Sequence, residues 1–270
     1  FAVQGIVNTA LVICLNLLFL LVLDMGVTGY VLSVVLSDLL VSVMLIIYAR
    51  LYRDLRNGRF SRELAGQLIR YSLPMIPTTI FWWITNVSDR YIVTLLCGKE
   101  VNGIYSAAYK IPTLITLLCS VFYEAWQFSA VKDAEQKTKS VFFGRVFGYY
   151  SALMLTGGAA VVLLSRVFVR LLFAESYYGA WEYIPVLTLA SVFSALTTFM
   201  GSVYLVKKKS MMSFLTSMLG AVINIVLNII MIPSVGAQGA AIATAVSYAV
   251  VFVVRTITAQ RHVSFPVNYF

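Results

Sequence analysis

Eight stretches of about twenty apolar residues, each separated from the next by a short link, constrain this chain more than any motif in it. They run approximately over 3–23, 29–49, 74–97, 104–128, 142–164, 183–206, 211–232 and 239–258. A helix that crosses a bilayer needs about 20 such residues, since each adds only about 1.5 Å of rise. Backbone polar groups in hydrocarbon must be satisfied within the segment, so helices are predicted throughout. A soluble core is excluded by amount. Of the 270 residues, 60% are hydrophobic and 11% charged, more apolar surface than a domain of this size can hide. The fold class expected is an all-α polytopic integral membrane protein with about eight transmembrane helices.

The chain opens on Phe1 without the basic flank, short apolar core and small-residue site of a signal peptide. Both ends are expected to be cut from a longer protein. The three cysteines, Cys14, Cys97 and Cys119, lie in or beside apolar stretches and make no CxxC pair. They read as buried free thiols rather than a disulfide framework or metal site. With one histidine, His262, no metal centre is expected.

A net charge of +9 raises nucleic acid as a partner, but its distribution argues otherwise. The second link carries Arg50, Arg53, Arg56, Arg59, Arg62 and Arg70; the fourth carries Lys132, Lys137 and Lys139, with Arg145 just after. The sixth carries Lys207, Lys208 and Lys209, and Arg255 and Arg261 stand at and after the end of the last segment. These alternate links hold fifteen of the twenty basic residues. That is the pattern of a multi-pass protein with its basic links in the cytoplasm. The fifth link is the weak point: Arg166 and Arg170 stand on the outer side, opposed in sequence by Glu175 and Glu182. In the 50–72 link, arginines three apart alternate with Leu51, Leu55, Phe60, Leu64 and Leu68. This suits either a basic amphipathic helix on anionic headgroups or a solvated orientation signal.

The two ends of the chain resemble each other. Leu15-Asn16-Leu17, Gly26-Val27-Thr28-Gly29 and Ser37 find counterparts in Leu227-Asn228-Ile229, Gly236-Ala237-Gln238-Gly239 and Ser247. Each copy is an apolar helix with Asn, a GxxG turn and a second apolar helix. Duplicated lobes are common in secondary transporters, with substrate bound between them.

Ionisable residues inside apolar stretches are costly, about 2.5–3.5 kcal/mol each at the bilayer centre, and mark candidate sites. They are Asp38, Asp89, Arg90, Lys110 and Glu124. Counting residues puts Arg90 and Lys110 both roughly 10 Å below the outer surface. Two cations at one depth repel unless an anion lies between them, either Asp89 or a substrate phosphate. Asp89 is also a candidate clasp that neutralises Arg90 or Lys110. Neighbours on a helix point about 100° apart, so Arg90 shares a face instead with Asn86 and Trp82 or Trp83. Tyr105 and Tyr109 lie four apart and are candidates to line the same space. Asp38, Asp89 and Glu124 are the candidates for H+ or Na+ coupling, Glu124 alternatively snorkelling to the interface. Pro74, Pro77 and Pro112 are placed to bend the helices around this region.

Ser72-Leu73-Pro74-Met75-Ile76-Pro77, Ser88-Asp89-Arg90-Tyr91-Ile92 and Gly103-Ile104-Tyr105-Ser106-Ala107-Ala108-Tyr109-Lys110 resemble the start of the second lobe in polysaccharide-transporter flippases of the MOP superfamily. The Asn-bearing seventh segment with Gly236-Ala237-Gln238-Gly239-Ala240-Ala241 is similar to the family's later helices. The resemblance implies a fragment of a transporter of twelve to fourteen helices in two lobes. On that map 1–49 holds the last two helices of the first lobe and 50–72 a basic cytoplasmic linker. Residues 73–258 form the six-helix second lobe, and 259–270 a cytoplasmic tail leading to a further helix.

It implies a flippase that moves undecaprenyl-pyrophosphate-linked oligosaccharides across the bacterial cytoplasmic membrane by alternating access, for surface polysaccharides such as O-antigen or capsule. No cofactor beyond the coupling ion is implied. Expected partners are the lipid-linked substrate and membrane lipids, with polymerase and chain-length machinery as further candidates and no nucleic acid. Arg90 and Lys110 would contact pyrophosphate or acidic sugars, with Asn86, Tyr105 and Tyr109 beside them. A multidrug antiporter of the same superfamily would instead use an acidic cavity, and a peptidoglycan-precursor flippase would differ only in substrate. A membrane enzyme is disfavoured, because the one sizeable outer link, 165–182, offers no nucleophile–base set.

Overall fold

The structure is a computed structural model and describes residues 2–53, 61–132 and 139–260. The chain separates into two compact units, Phe1–Ala65 and Gly66–Phe270.

In the first unit, α1 (Ala2–Asn16) runs on into a π-helical turn, Leu17–Val22, and is followed by α2 (Gly26–Tyr48). The turn between them puts Asp24 at φ 48° and Gly26 at φ 55°. The buried face of α2 is Gly29, Ser33, Ser37 and Val41, a stripe four residues apart. Across it, Ser33 Oγ donates to Asn16 Oδ1 at 2.7 Å and Ser37 Oγ to Asn8 Oδ1 at 2.5 Å. Leucines face outward. A helix pair in lipid gains nothing by hiding Leu, so small and hydrogen-bonding residues take the interface.

Leading into the second unit is α3 (Arg62–Ser72), capped by Ser61 Oγ, which accepts from Leu64 N. With residues 50–53 it makes up the described part of the basic link; Arg56 and Arg59 lie outside the described residues, as do 261–270 of the expected tail. Then come α4 (Met75–Cys97), α5 (Lys99–Ala108), α6 (Thr113–Lys132) and α7 (Lys139–Leu172). A 3₁₀ turn over Glu175–Glu182 leads to α8 (Ile184–Val206), α9 (Ser210–Val235) and α10 (Ala237–Gln260). Pro112 lies in the break between α5 and α6, where the axis turns by 45°. Proline has no N–H to continue the ladder, so this bend falls where the sequence placed a breaker.

Among the described residues six helices are long and apolar enough to cross a membrane, and α5 with α6 make a seventh bent span. The eighth expected span, α4, is as long as the others at 23 residues. Thr85, Asn86, Ser88, Asp89 and Arg90 lower its hydropathy below theirs. It packs along α9 and α10, both spans themselves, and we read it as one too. The protein is a multi-pass membrane protein.

The second unit is built around α8, which packs on α10, α7 and α6. Its Leu187, Met200 and Val203 are fully buried. Phe199 stacks on Trp126 and Tyr150, and Trp126 Nε1 donates to Ser202 Oγ at 2.9 Å. Tyr150 donates to Cys119 Sγ at 3.1 Å and to the Ala195 carbonyl at 3.2 Å. The thiols are free as expected, but only Cys119 is buried; Cys97 is half-buried and Cys14 exposed.

The sequence repeat has a structural counterpart in each unit. Gly236 takes φ 67°, as Gly26 takes φ 55°. Ser37 and Ser247 are both fully buried. In the second copy an Asn again ties the pair together, Asn224 Nδ2 donating to Thr244 Oγ1 at 3.1 Å.

Candidate functional site

The four-residue spacing of Trp82, Asn86 and Arg90 places all three on one face of α4, where they line a cavity of about 200 Å³. Tyr109, at the C-terminal end of α5, closes one side; Ser191 and Ser194 of α8 and Thr244 and Tyr248 of α10 supply hydroxyls. Asn86 is held from both ends: its Nδ2 donates to the Trp82 carbonyl at 2.7 Å, and its Oδ1 accepts from Tyr248 at 3.1 Å. Trp83, the alternative to Trp82 in the stripe, is 58% exposed and does not line the cavity.

Asp89 and Arg90 are adjacent in sequence and do opposite things. Asp89 is fully buried and turned away from the cavity. Its Oδ2 accepts from Tyr105 at 2.8 Å and Tyr109 at 2.7 Å, and its Oδ1 from the Arg90 backbone N–H at 2.8 Å. Among the described residues no carboxylate oxygen lies within 4.0 Å of the Arg90 guanidinium or the Lys110 ammonium nitrogen. The expected clasp is therefore replaced by a carboxyl bonded to two phenols. The geometry explains it, since successive helical side chains diverge by about 100°.

Arg90 faces the cavity, its guanidinium 4.7 Å from the centre of the Tyr109 ring. Its Nε is buried with no hydrogen-bond partner. Tyr109 thus serves both charges, its hydroxyl binding Asp89 and its ring face carrying Arg90. Arg90 is the one charged side chain among the cavity's described lining residues.

The remaining sequence candidates fall elsewhere. Tyr105 lies behind the cavity wall, fully buried. Lys110 is exposed in the break between α5 and α6, and Glu124 is exposed on α6. Asp38 belongs to the first unit, where it is exposed and its Oδ1 accepts from Asn8 Nδ2 at 3.2 Å.

Sequence reasoning missed Tyr248, Thr244 and Asn224, which bind α10 and α9 to α4. Ser88 donates to Asn224 Oδ1 at 3.0 Å, and so does Asn228 Nδ2 at 3.1 Å. The Asn residues spaced four apart in α9 were the available signal.

Arg255 corrects a further expectation. Its place in the sequence groups it with the cytoplasmic links, yet it lies within α10 and is 6% exposed. The helix continues to Gln260, so the side chain turns inward. Its Nε donates to Thr216 Oγ1 at 3.0 Å, one terminal nitrogen to the Thr197 carbonyl at 3.2 Å and the other to Ser217 Oγ at 3.0 Å. This fork ties α8, α9 and α10 at one point. Arg255→Lys keeps the charge but cannot reach three acceptors from a single nitrogen. We expect it to lower stability by about 1–3 kcal/mol, read as an earlier thermal unfolding transition in detergent.

The helices of this chain are arranged as in solved transporters of the MOP superfamily. An outward-facing multidrug resistance MATE family transporter of the MOP superfamily matches with a TM-score of 0.81 at 16% identity, over 97% of this chain and 62% of its own. A MOP superfamily transporter from Pyrococcus furiosus, described as having a binding pocket of reversed polarity that suggests a different function, matches with a TM-score of 0.83 at 15% identity over the same shares. The family model of polysaccharide biosynthesis proteins matches residues 1–126. A probable low-salt glycan biosynthesis flippase, Agl15 of Haloferax volcanii, is 23% identical over 192 residues, 69% of this chain and 40% of that protein. The likeness to solved transporters establishes the fold of this chain, and the family model covers its first 126 residues. The chain spans well under two thirds of the curated flippase it matches, and its relatives are transporters and flippases rather than enzymes.

Proposed function

We propose that the protein carrying this chain is a flippase of the cytoplasmic membrane. It would move undecaprenyl-pyrophosphate-linked oligosaccharide units by alternating access, for surface polysaccharide biosynthesis. The observation that supports this most is Arg90: a cation with an unused buried Nε, facing a cavity that has no carboxylate among its described lining residues. A guanidinium in that setting suits a phosphate or acidic sugar, which it can hold through paired charge-assisted hydrogen bonds. Trp82, Tyr109 and Tyr248 offer aromatic faces, and Ser191, Ser194 and Thr244 offer hydroxyls, the groups a sugar would meet. Asn86 and Tyr248, already bonded to each other, would orient it.

A multidrug antiporter reading needs an acid that meets a cationic drug. The acid nearest this cavity, Asp89, is engaged by Tyr105 and Tyr109 instead. Coupling to H+ or Na+ through Asp38, Asp89 or Glu124 stands as part of the proposal.

The test is transport of fluorescent polyprenyl-pyrophosphate oligosaccharide between the leaflets of liposomes containing the whole transporter. Arg90→Gln is expected to slow movement at least about tenfold, the loss of one charge-assisted contact. Arg90→Lys, which keeps the charge, is expected to retain more. Movement indifferent to Arg90→Gln, or exchange of ethidium for protons or sodium in its place, would sink the flippase reading.

A further inference from the structure

The two arginines that break the charge alternation, Arg166 and Arg170, are one turn apart near the C-terminal end of α7. They border a cavity of about 270 Å³ together with Tyr178 and Trp181 of the 3₁₀ turn. The Arg166 guanidinium sits 4.2 Å from the centre of the Trp181 ring. The sequence sets Glu175 and Glu182 against these cations, and both belong to the same 3₁₀ turn. Yet among the described residues no carboxylate lies within 4.0 Å of either arginine. The cations are held toward an aromatic-walled hollow and left without a counter-charge.

Their location selects the occupant. They lie on the side of the membrane opposite the basic links, where lysine and arginine are disfavoured. Deeper along the same helix Leu155 (54% exposed), Leu163 (82%) and Leu164 (45%) face outward as a run for acyl chains. A ligand at this spot therefore meets hydrocarbon along α7 and two guanidinium groups at its end. We propose that Arg166, Arg170, Tyr178 and Trp181 form a site for the phosphate of a membrane lipid in that leaflet. The two guanidinium groups bind phosphate oxygens, and the stacking of Arg166 on Trp181 holds its fork in place. This site is separate from the Arg90 cavity and does not rest on the transport reading.

The experiment is a calorimetric titration of the purified full-length transporter in detergent with dioctanoyl phosphatidylglycerol. Dioctanoylglycerol and inorganic phosphate serve as separate probes. Arg166→Gln with Arg170→Gln is expected to weaken phosphatidylglycerol binding by about tenfold or more. The paired Arg→Lys variant is expected to stay within a few-fold of the unmodified protein. Lys207→Gln with Lys208→Gln, on the opposite side, is expected to change little. Both arginines are exposed, so an unchanged thermal unfolding curve separates lost binding from lost fold. Three outcomes overturn the proposal: equal binding by the paired Gln variant, an equal loss in the Lys207/Lys208 variant, or inorganic phosphate binding as tightly as the lipid.

Discussion

Tyr105→Phe combined with Tyr109→Phe is expected to be among the most destabilising pairs of changes in the second unit, although it removes only two oxygen atoms. Both hydroxyls donate to Asp89 Oδ2, within a residue that is fully buried. Without them that oxygen keeps no partner, and leaving a buried polar group unsatisfied costs about 1–3 kcal/mol, more for a charged one. For a unit of this size the cost corresponds to a fall in unfolding temperature of roughly 10 °C. The substitution at Tyr109 keeps the aromatic ring, so the contact with Arg90 is largely retained and the effect is read on stability. Asp89→Asn alone is expected to be milder, because the amide oxygen still accepts from both phenols. Adding Asp89→Leu to the double Phe variant should recover much of the loss, since removing both halves of a buried polar contact is far cheaper than removing one. A triple variant no more stable than the double would show that Asp89 and the tyrosines are not coupled. The measurement is thermal unfolding in one detergent across all four proteins.

What could be read from residues alone divides along physical lines. The helices were legible because lipid imposes a length and a composition: the apolar segments coincide with α1 and its π-helical turn, α2, α4 and α8–α10 within a few residues, whereas the fourth segment is broken into α5 and α6 and α7 runs to Leu172, past the expected end at 164. The stripe of Trp82, Asn86 and Arg90 was legible because helical spacing is local. The choice between Trp82 and Trp83 depends on what faces α4, residues of α8 and α10 more than a hundred positions away. The partners of Asp89, Tyr105 and Tyr109, are nearer, 16 and 20 residues on. Tyr248 reaches Asn86 across 162 residues, and nothing around Tyr248 announces it. Arg255 escapes a sequence reading for a related reason. A cation near the end of an apolar run is most often an interfacial anchor, and only the hydroxyls of Thr216 and Ser217 on a neighbouring helix turn it into a buried tie. Hydropathy sees α4 poorly for the same cause that makes it informative, since the polar residues that build the site reduce its resemblance to a membrane span.

The GxxG turns carry the other large effect, and glycines at different contacts should separate cleanly. A Cβ at Gly239 would lie 2.5 Å from the carbonyl oxygen of Met231 and 2.7 Å from its carbon. Those are backbone atoms of α9 and cannot rotate away, so α9 and α10 would have to part. At Gly220 the nearest atom is Cγ2 of Val251 at 2.8 Å, the end of a side chain that can yield. At Gly148 nothing lies within 4 Å. Gly239→Ala is therefore expected to cost upwards of about 3 kcal/mol, in the range reserved for overpacked cores. Gly220→Ala should cost about 1 kcal/mol, and Gly148→Ala should be neutral or stabilise by about 0.5–1 kcal/mol through the helix propensity of alanine. Thermal unfolding of the three variants checks the order. Gly29 extends the test to the first unit, where a Cβ would meet the Phe19 carbonyl oxygen at 3.1 Å and Met25 Cβ at 2.9 Å. If both second glycines of the two GxxG turns resist alanine while Gly148 accepts it, the repeat is maintained by close backbone approach. If Gly239→Ala is as mild as Gly148→Ala, the two turns share a sequence pattern without sharing its physical cause.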